Sequence, residues 1–175
     1  MRPDEWHAAR ATNVAAFDDP VIGALLDLLR ASWCWEDELS FVAVDPATQD
    51  VLGHIVFSHA FVDAPDRIVD VLVLSPVGVR PDVHGTGVGT ALITQALQVL
   101  VATRPEPLVF LEGSPRYYPR FGFEKGRDLG FTAPSVRIPP AAFMVYRMPA
   151  YQPSITGALV YPDAFWRLDA VGLRD

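Results

Sequence analysis

The stretch Val79-Arg-Pro-Asp-Val-His-Gly-Thr-Gly-Val-Gly89, running straight into Thr90-Ala-Leu-Ile-Thr-Gln-Ala-Leu-Gln-Val-Leu100, constrains this chain more than any other. It reads as strand, glycine loop and helix. Leu92, Ile93, Ala96, Leu97, Leu100 and Val101 recur at helical spacing and form one wide apolar stripe, with Thr94, Gln95 and Gln98 opposite. Gly85, Gly87 and Gly89 let the backbone lie close to a ligand, and the unpaired N–H groups and positive dipole at a helix start favour an anion there. A phosphate or pyrophosphate meets that description. So does a tight turn that uses glycine only to change direction. The two common phosphate loops do not match. The chain has no G-x-x-x-x-G-K-[ST], its only lysine being Lys125, and its glycine spacing is not that of the dinucleotide fingerprint.

The sequence on either side supplies a sheet. Phe41–Val44 and Val51–Phe57 alternate around the turn Asp45–Asp50 and predict a hairpin; Ile68–Leu74 follows after a second turn at Ala64–Arg67. Pro76 predicts a bulge or a strand end, because it offers no N–H to the ladder, with the run resuming at Val77-Gly-Val79. After the helix, Leu108–Leu111 is a short buried strand that must lie parallel to the strand before the helix if the crossover is right-handed. The sheet is therefore mixed. Ser114-Pro115 opens a short helix limited by Pro119, Ala142–Arg147 is a further strand, and the tail carries Leu159-Val-Tyr161 and Phe165-Trp166. Upstream, Asp18-Asp19-Pro20 starts a helix with Ile22, Leu25, Leu26 and Leu29 on one face, whereas residues 1–19 show no clear period.

The length of 175 residues predicts one domain with its own core, divided into a helical N-terminal segment (residues 1–39), a core (residues 40–148) and a tail (residues 149–175). No apolar run is long enough to cross a bilayer and the N-terminus has no signal-peptide pattern, so the expected location is the cytoplasm. Net charge −7 argues against nucleic acid and anionic membranes as partners, and any anion site must be local. The single cysteine, Cys34, excludes an internal disulfide and reads as packing between Trp33 and Trp35; four scattered histidines without ligand spacing predict no metal.

The loop His84-Gly85-Thr86-Gly87-Val88-Gly89, led in by Val79-Arg-Pro-Asp82, resembles the acyl-CoA signature [Q/R]-x-x-G-x-[G/A] of the GNAT acyltransferase superfamily, with His84 where that pattern has Gln or Arg. Tyr117-Tyr-Pro-Arg-Phe-Gly-Phe123 is similar to the family's Y-x-x-[FL]-G-F segment and stands in the same order after the helix. From Ser40 to Met148 the chain resembles the YhbS-like branch; residues 1–17 depart from the family's usual first strand. The resemblance implies a GNAT-like α/β fold, a strongly twisted mixed sheet of about six to seven strands flanked by helices, with a parallel pair splayed to hold acetyl-CoA as cosubstrate. The pantetheine amides would pair with the backbone of Val77 and Val79. The pyrophosphate would sit on the N–H groups of His84, Gly85, Thr86, Gly87, Val88 and Gly89, with Thr90, Ser114 and Tyr117 also at the cofactor. An imidazole is only partly protonated at neutral pH, so His84 implies weaker or more pH-sensitive cofactor affinity than an arginine there.

Acyl transfer to an amine needs a polarised thioester, a neutral amine and a proton for the departing thiolate. Tyr118 matches the family's tyrosine and is the expected general acid. His54, His59, Asp70 and Glu112 are base candidates on strands or their ends, with Glu112 nearest the cleft by sequence. Arg116 and Arg120 either contact a CoA phosphate or cover the surface. The expected activity is N-acetyl transfer to the amine of a small molecule or peptide. A non-catalytic CoA-binding module is the alternative, and a homodimer built on the apolar tail is a third reading.

Overall fold

The computed structural model describes residues 1–172. Its contacts divide into two compact units, Met1–Ser58 with Ser75–Ala102, and His59–Leu74 with the chain from Thr103 onward. No helix among the described residues is long and apolar enough to cross a membrane.

The first unit begins with a short 3-10 turn and helix α1, Trp6–Phe17, where the sequence shows no period. The reason lies on its buried face, which carries Thr12 and Asn13 beside Trp6 and Ala9, so polar residues break the apolar stripe. Helix α2, Pro20–Arg30, starts as its sequence dictates. Asp19 caps it by accepting the Val21 N–H at 2.8 Å, and Pro20 occupies the first helical position. Arg10 of α1 grips Asp27 of α2 through both carboxylate oxygens, at 2.9 and 2.7 Å. Cys34 is fully buried, in packing as expected.

Strand β1, Ser40–Val44, pairs antiparallel with β2, Val51–Asp63, with Ser40 opposite Val56. Beneath it lies a buried polar triad. His54 accepts from Asn13 Nδ2 at Nδ1 (2.6 Å) and meets Ser40 Oγ at Nε2 (2.8 Å), which fixes the neutral ring with its hydrogen on Nε2. Burial, helped by the nearby N-terminal ammonium, lowers the His54 pKa to about 4. An unfolded histidine titrates near 6.5, so between about pH 6.5 and 4 the unfolded chain takes up a proton that the folded one refuses. Stability is complete above that window and lost as pH falls through it. Between pH 7 and pH 5 this group is expected to remove about 2 kcal/mol, measured from urea unfolding; His54→Gln should flatten that part of the profile, and an unchanged slope would mean the ring is protonated in the fold.

Strand β3, Ile68–Val79, continues unbroken through Pro76, with a cis Ser75–Pro76 peptide. The expected strand end is thus not there, because proline's fixed φ fits an extended segment and costs only one donor. Gly78 has no room for a side chain, since a Cβ would lie 2.5 Å from Asn13 Oδ1. Helix α3, Val88–Thr103, buries Leu92, Ile93, Ala96, Leu97 and Leu100 as the stripe predicts, while Val101 is exposed.

The second unit holds β4, Leu108–Glu112, parallel to β3 through Leu72–Val109 and Val73–Phe110. All five β4 residues pair antiparallel with β7, Phe143–Arg147, whose other edge carries the two-residue β5, Glu124–Lys125. On β2, Phe61–Asp63 pairs with β8, Gly157–Val160, which is itself parallel to β6, Phe131–Thr132. The strand order is β5-β7-β4-β3-β2-β8-β6, with β1 on β2, making a mixed sheet of eight strands. Phe110, fully buried, stacks on Phe143 (5.6 Å, 12°) and meets Phe131 edge-on at 5.1 Å. Leu159, Tyr161 and, in the short helix α4 (Asp163–Arg167), Phe165 are buried within their own chain, and among the described residues of the tail Val160 and Trp166 are the exposed large apolar ones.

Gly157 has φ 138° and lies against the backbone of Asp63 and Ala64, so a Cβ meets main-chain atoms that cannot rotate away. Gly157→Ala is expected to cost about 3 kcal/mol or more in urea unfolding. Gly85→Ala, with φ 77° but open space around it, should cost only about 1–2 kcal/mol. Equal losses at the two positions would show that strain, not collision, sets the cost.

Candidate active site

The glycine loop is held open by its own hydrogen bonds. Pro81–Val83 form a 3-10 turn, the His84 N–H donates to Pro81 O at 3.2 Å, and the Thr86 hydroxyl donates to Val83 O at 2.7 Å. Arg80 bonds Asp82 at 2.7 and 2.9 Å, which holds the Asp82 carboxyl below its usual range. Gly85 (φ 77°) and Gly87 (φ 95°) adopt the left-handed region, and nothing lies within 4 Å of where their Cβ atoms would be. The first intrahelical bond runs from Ala91 N to Gly87 O at 2.9 Å. The N–H groups of Val88, Gly89 and Thr90 therefore precede the helical ladder and lie at its positive end. Backbone N–H groups in that arrangement could cradle an anion.

His84 is exposed, with Nε2 2.7 Å from Val79 O. A neutral ring that donates there offers only an acceptor at Nδ1, and it must gain a proton to donate to an anion. Val77 and Val79 are half-buried on β3. Arg80 N donates to Leu52 O at 2.8 Å, anchoring the strand end beside the loop.

In the second unit, Ser114 O receives the N–H groups of Tyr117 (3.0 Å) and Tyr118 (3.2 Å), and Ser114 Oγ receives that of Arg116 at 3.3 Å. These bonds turn the chain into the 3-10 helix Tyr118–Phe121. The Tyr118 ring lies against Gly113, where any side chain would displace it, and packs edge-on to Phe123 at 5.8 Å and Tyr117 at 5.2 Å. Burial, with Tyr117 adding to it, pushes its phenol up to about 12. Arg120 lies 4.7 Å over the Tyr117 ring, and Arg116 is exposed.

The base candidates separate clearly. His54 is sealed in the triad described above. His59 stands 3.6 Å from Glu106, and Asp70 is exposed. Glu112 is half-buried at the end of β4, its Oε2 accepting the Gly172 N–H at 3.0 Å and its carboxyl hydrogen-bonded to the Tyr161 hydroxyl. Burial raises its pKa despite those bonds. The stretch between Lys125 and Phe143, irregular in sequence, forms a recess with Arg127 at its rim. Nothing in the sequence pointed to it.

A strand, a glycine loop and a helix leading to a parallel neighbour strand, with an aromatic 3-10 turn after it, define the GNAT fold. Residues 1–126 match the family model for the acetyltransferase (GNAT) domain, and the chain belongs to that family. It is 34% identical over 110 residues to the uncharacterized N-acetyltransferase YjhQ of Escherichia coli K12; the match takes in 61% of this chain and 60% of that relative's length. Among solved structures, a GNAT family acetyltransferase from Brucella melitensis in complex with acetyl-CoA is 28% identical, with TM-score 0.73 and 94% of each chain covered. The GNAT family N-acetyltransferase YhbS from Escherichia coli in complex with CoA shares the fold at TM-score 0.82 and 24% identity, over 95% of this chain and 89% of that one.

Proposed function

We propose that the chain transfers the acetyl group of acetyl-CoA directly to the amine of a small molecule or peptide. The observation that carries this reading is the backbone cradle, where two glycines at positive φ precede the unbonded N–H groups of Val88, Gly89 and Thr90. Acetyl-CoA brings an activated acyl group and a pyrophosphate, and the cradle suits the latter. His84, Gly85, Thr86 and Gly87 line the cradle, the backbone of Val77 and Val79 pairs with the pantetheine amides, and Ser114 and Tyr117 contact the cofactor. The amine nitrogen attacks the thioester carbon, the C–N bond forms and the C–S bond breaks. Glu112 takes the proton that the amine loses, and Tyr118 Oη gives one to the departing sulfur. A phenol held at about 12 keeps that proton throughout the neutral range.

The test is release of free CoA thiol from acetyl-CoA in the presence of an amine panel, run beside a thermal-shift titration with acetyl-CoA, CoA and ADP. A melting-temperature rise with amine-dependent thiol release supports transfer. A rise without release with any amine points instead to a non-catalytic CoA-binding module, which His84 favours because its Nε2 already faces Val79 O. Absence of any rise at millimolar ligand removes both readings.

A further inference from the structure

The segment from Arg127 to Phe143 encloses an open recess of about 500 Å³, in the size range of small-molecule sites. Phe131, Val136, Ile138, Pro140 and Phe143 give it an apolar lining, and Arg127 stands at its rim. Among the described residues, the Arg127 guanidinium has one ionic contact, Asp128 at 3.9 Å, too long for a hydrogen bond, so its fork of donors is open to a ligand. A second recess of about 320 Å³ shares Arg127 and Pro140 and adds Asp128, Ala141 and Lys125, the only lysine of the chain. A protein of net charge −7 thus places Arg127 at an apolar hollow, with Lys125 in the recess next to it.

The position of the hollow within this unit gives it a role. Phe143 on β7 lies directly opposite Glu112 on β4, so the two side chains share one face of the sheet. The stacking of Phe143 on Phe110, two residues before Glu112, is on that same face. The apolar wall of the recess is therefore the cross-strand neighbour of the half-buried carboxylate assigned above as the base.

We infer that this recess receives the acceptor, and that the acceptor is an amine that also carries a carboxylate and an apolar side chain, the simplest being an apolar amino acid. The inference rests on the acetyltransferase reading. The apolar side chain fills the hollow, the carboxylate meets Arg127 in the bidentate geometry guanidinium favours, and the amine is left towards Glu112. The amine then attacks the acetyl carbon as described above; the product is an N-acetyl amino acid with free CoA thiol.

The closing experiment is calorimetric titration of N-acetyl-L-phenylalanine, the product expected from such an acceptor, into the full chain, with N-acetyl-L-phenylalaninamide as the ligand lacking the charge. Wild type should bind the acid at least tenfold more tightly than the amide, and Arg127→Gln should erase that difference. Val136→Glu, at a fully exposed rim position that does not endanger folding, should weaken the acid by a similar factor. No binding to wild type at millimolar acid, or equal binding of acid by Arg127→Gln, overturns the inference. Turnover assays separate it from the reading beneath it. Acetylation of amines without a carboxylate, at KM values that Arg127→Gln leaves unchanged, overturns the acceptor class and keeps the acetyltransferase. Charge-dependent binding with no acetyl-CoA consumed by any amine overturns the transfer chemistry and, with it, the acceptor role.

Discussion

Gly87→Glu is expected to abolish the acetyl-CoA-induced rise in melting temperature and to weaken CoA binding by at least about a hundredfold. Two effects add. Gly87 sits at φ 95°, where a side chain costs roughly 1–3 kcal/mol, and its carbonyl accepts the first bond of α3, so relaxing the strain moves the helix start. A carboxylate in the cradle also opposes an anion with like charge, a cost of several kcal/mol. The surrounding space is open, so the fold itself should survive, and the melting temperature without ligand should fall only by the strain. An undiminished ligand shift in the variant would remove the anion site from this loop and leave it a simple turn.

Tyr118→Phe should lower turnover by roughly 10²–10⁴-fold while leaving the acetyl-CoA thermal shift in place. The ring's packing against Gly113 and Phe123 is kept by phenylalanine, so loss of the hydroxyl isolates its chemistry from its structural role. A phenol pushed up to about 12 titrates only far into alkali, so its deprotonation should leave no limb in the wild-type rate profile below about pH 10. Full turnover with an unchanged pH profile would reduce Tyr118 to a packing residue.

The strand–loop–helix–strand unit was legible because each piece is written locally. The α3 stripe, the alternate glycines and the short apolar run Leu108–Leu111 are visible from near neighbours alone, and the parallel direction of β4 on β3 follows from the crossover rule. Helix α1 was not legible, because two of the residues on its buried face are polar. The Asn13 amide nitrogen bonds His54, 41 positions away, and Thr12 Oγ1 reaches Val51 O at 3.4 Å; no window of the sequence contains both partners. Strand β2 runs on past Phe57 to Asp63 because β8, about a hundred residues later, pairs with its far end.

The candidate site divides in the same way. The anion cradle is a property of backbone conformation, and glycine spacing with a helix start encodes it directly. Tyr118, the residue proposed as the acid, was reachable because it sits in a short motif whose turn is closed by Ser114. The partners of Glu112 were not, since Gly172 lies 60 positions on and Tyr161 belongs to the tail, where apolar residues suggested a surface between two chains.

By itself the sequence determined the secondary elements whose period is uninterrupted, the loop that favours an anion and the aromatic turn after β4, all from interactions within a few residues. Only the tertiary structure decided which polar groups are sealed from water, which cations keep open donors and which side chains share a sheet face. Those are set by pairs far apart in the chain, and desolvation, which lowers the His54 pKa to about 4 and raises those of Glu112 and Tyr118, exists only once such pairs have closed around them.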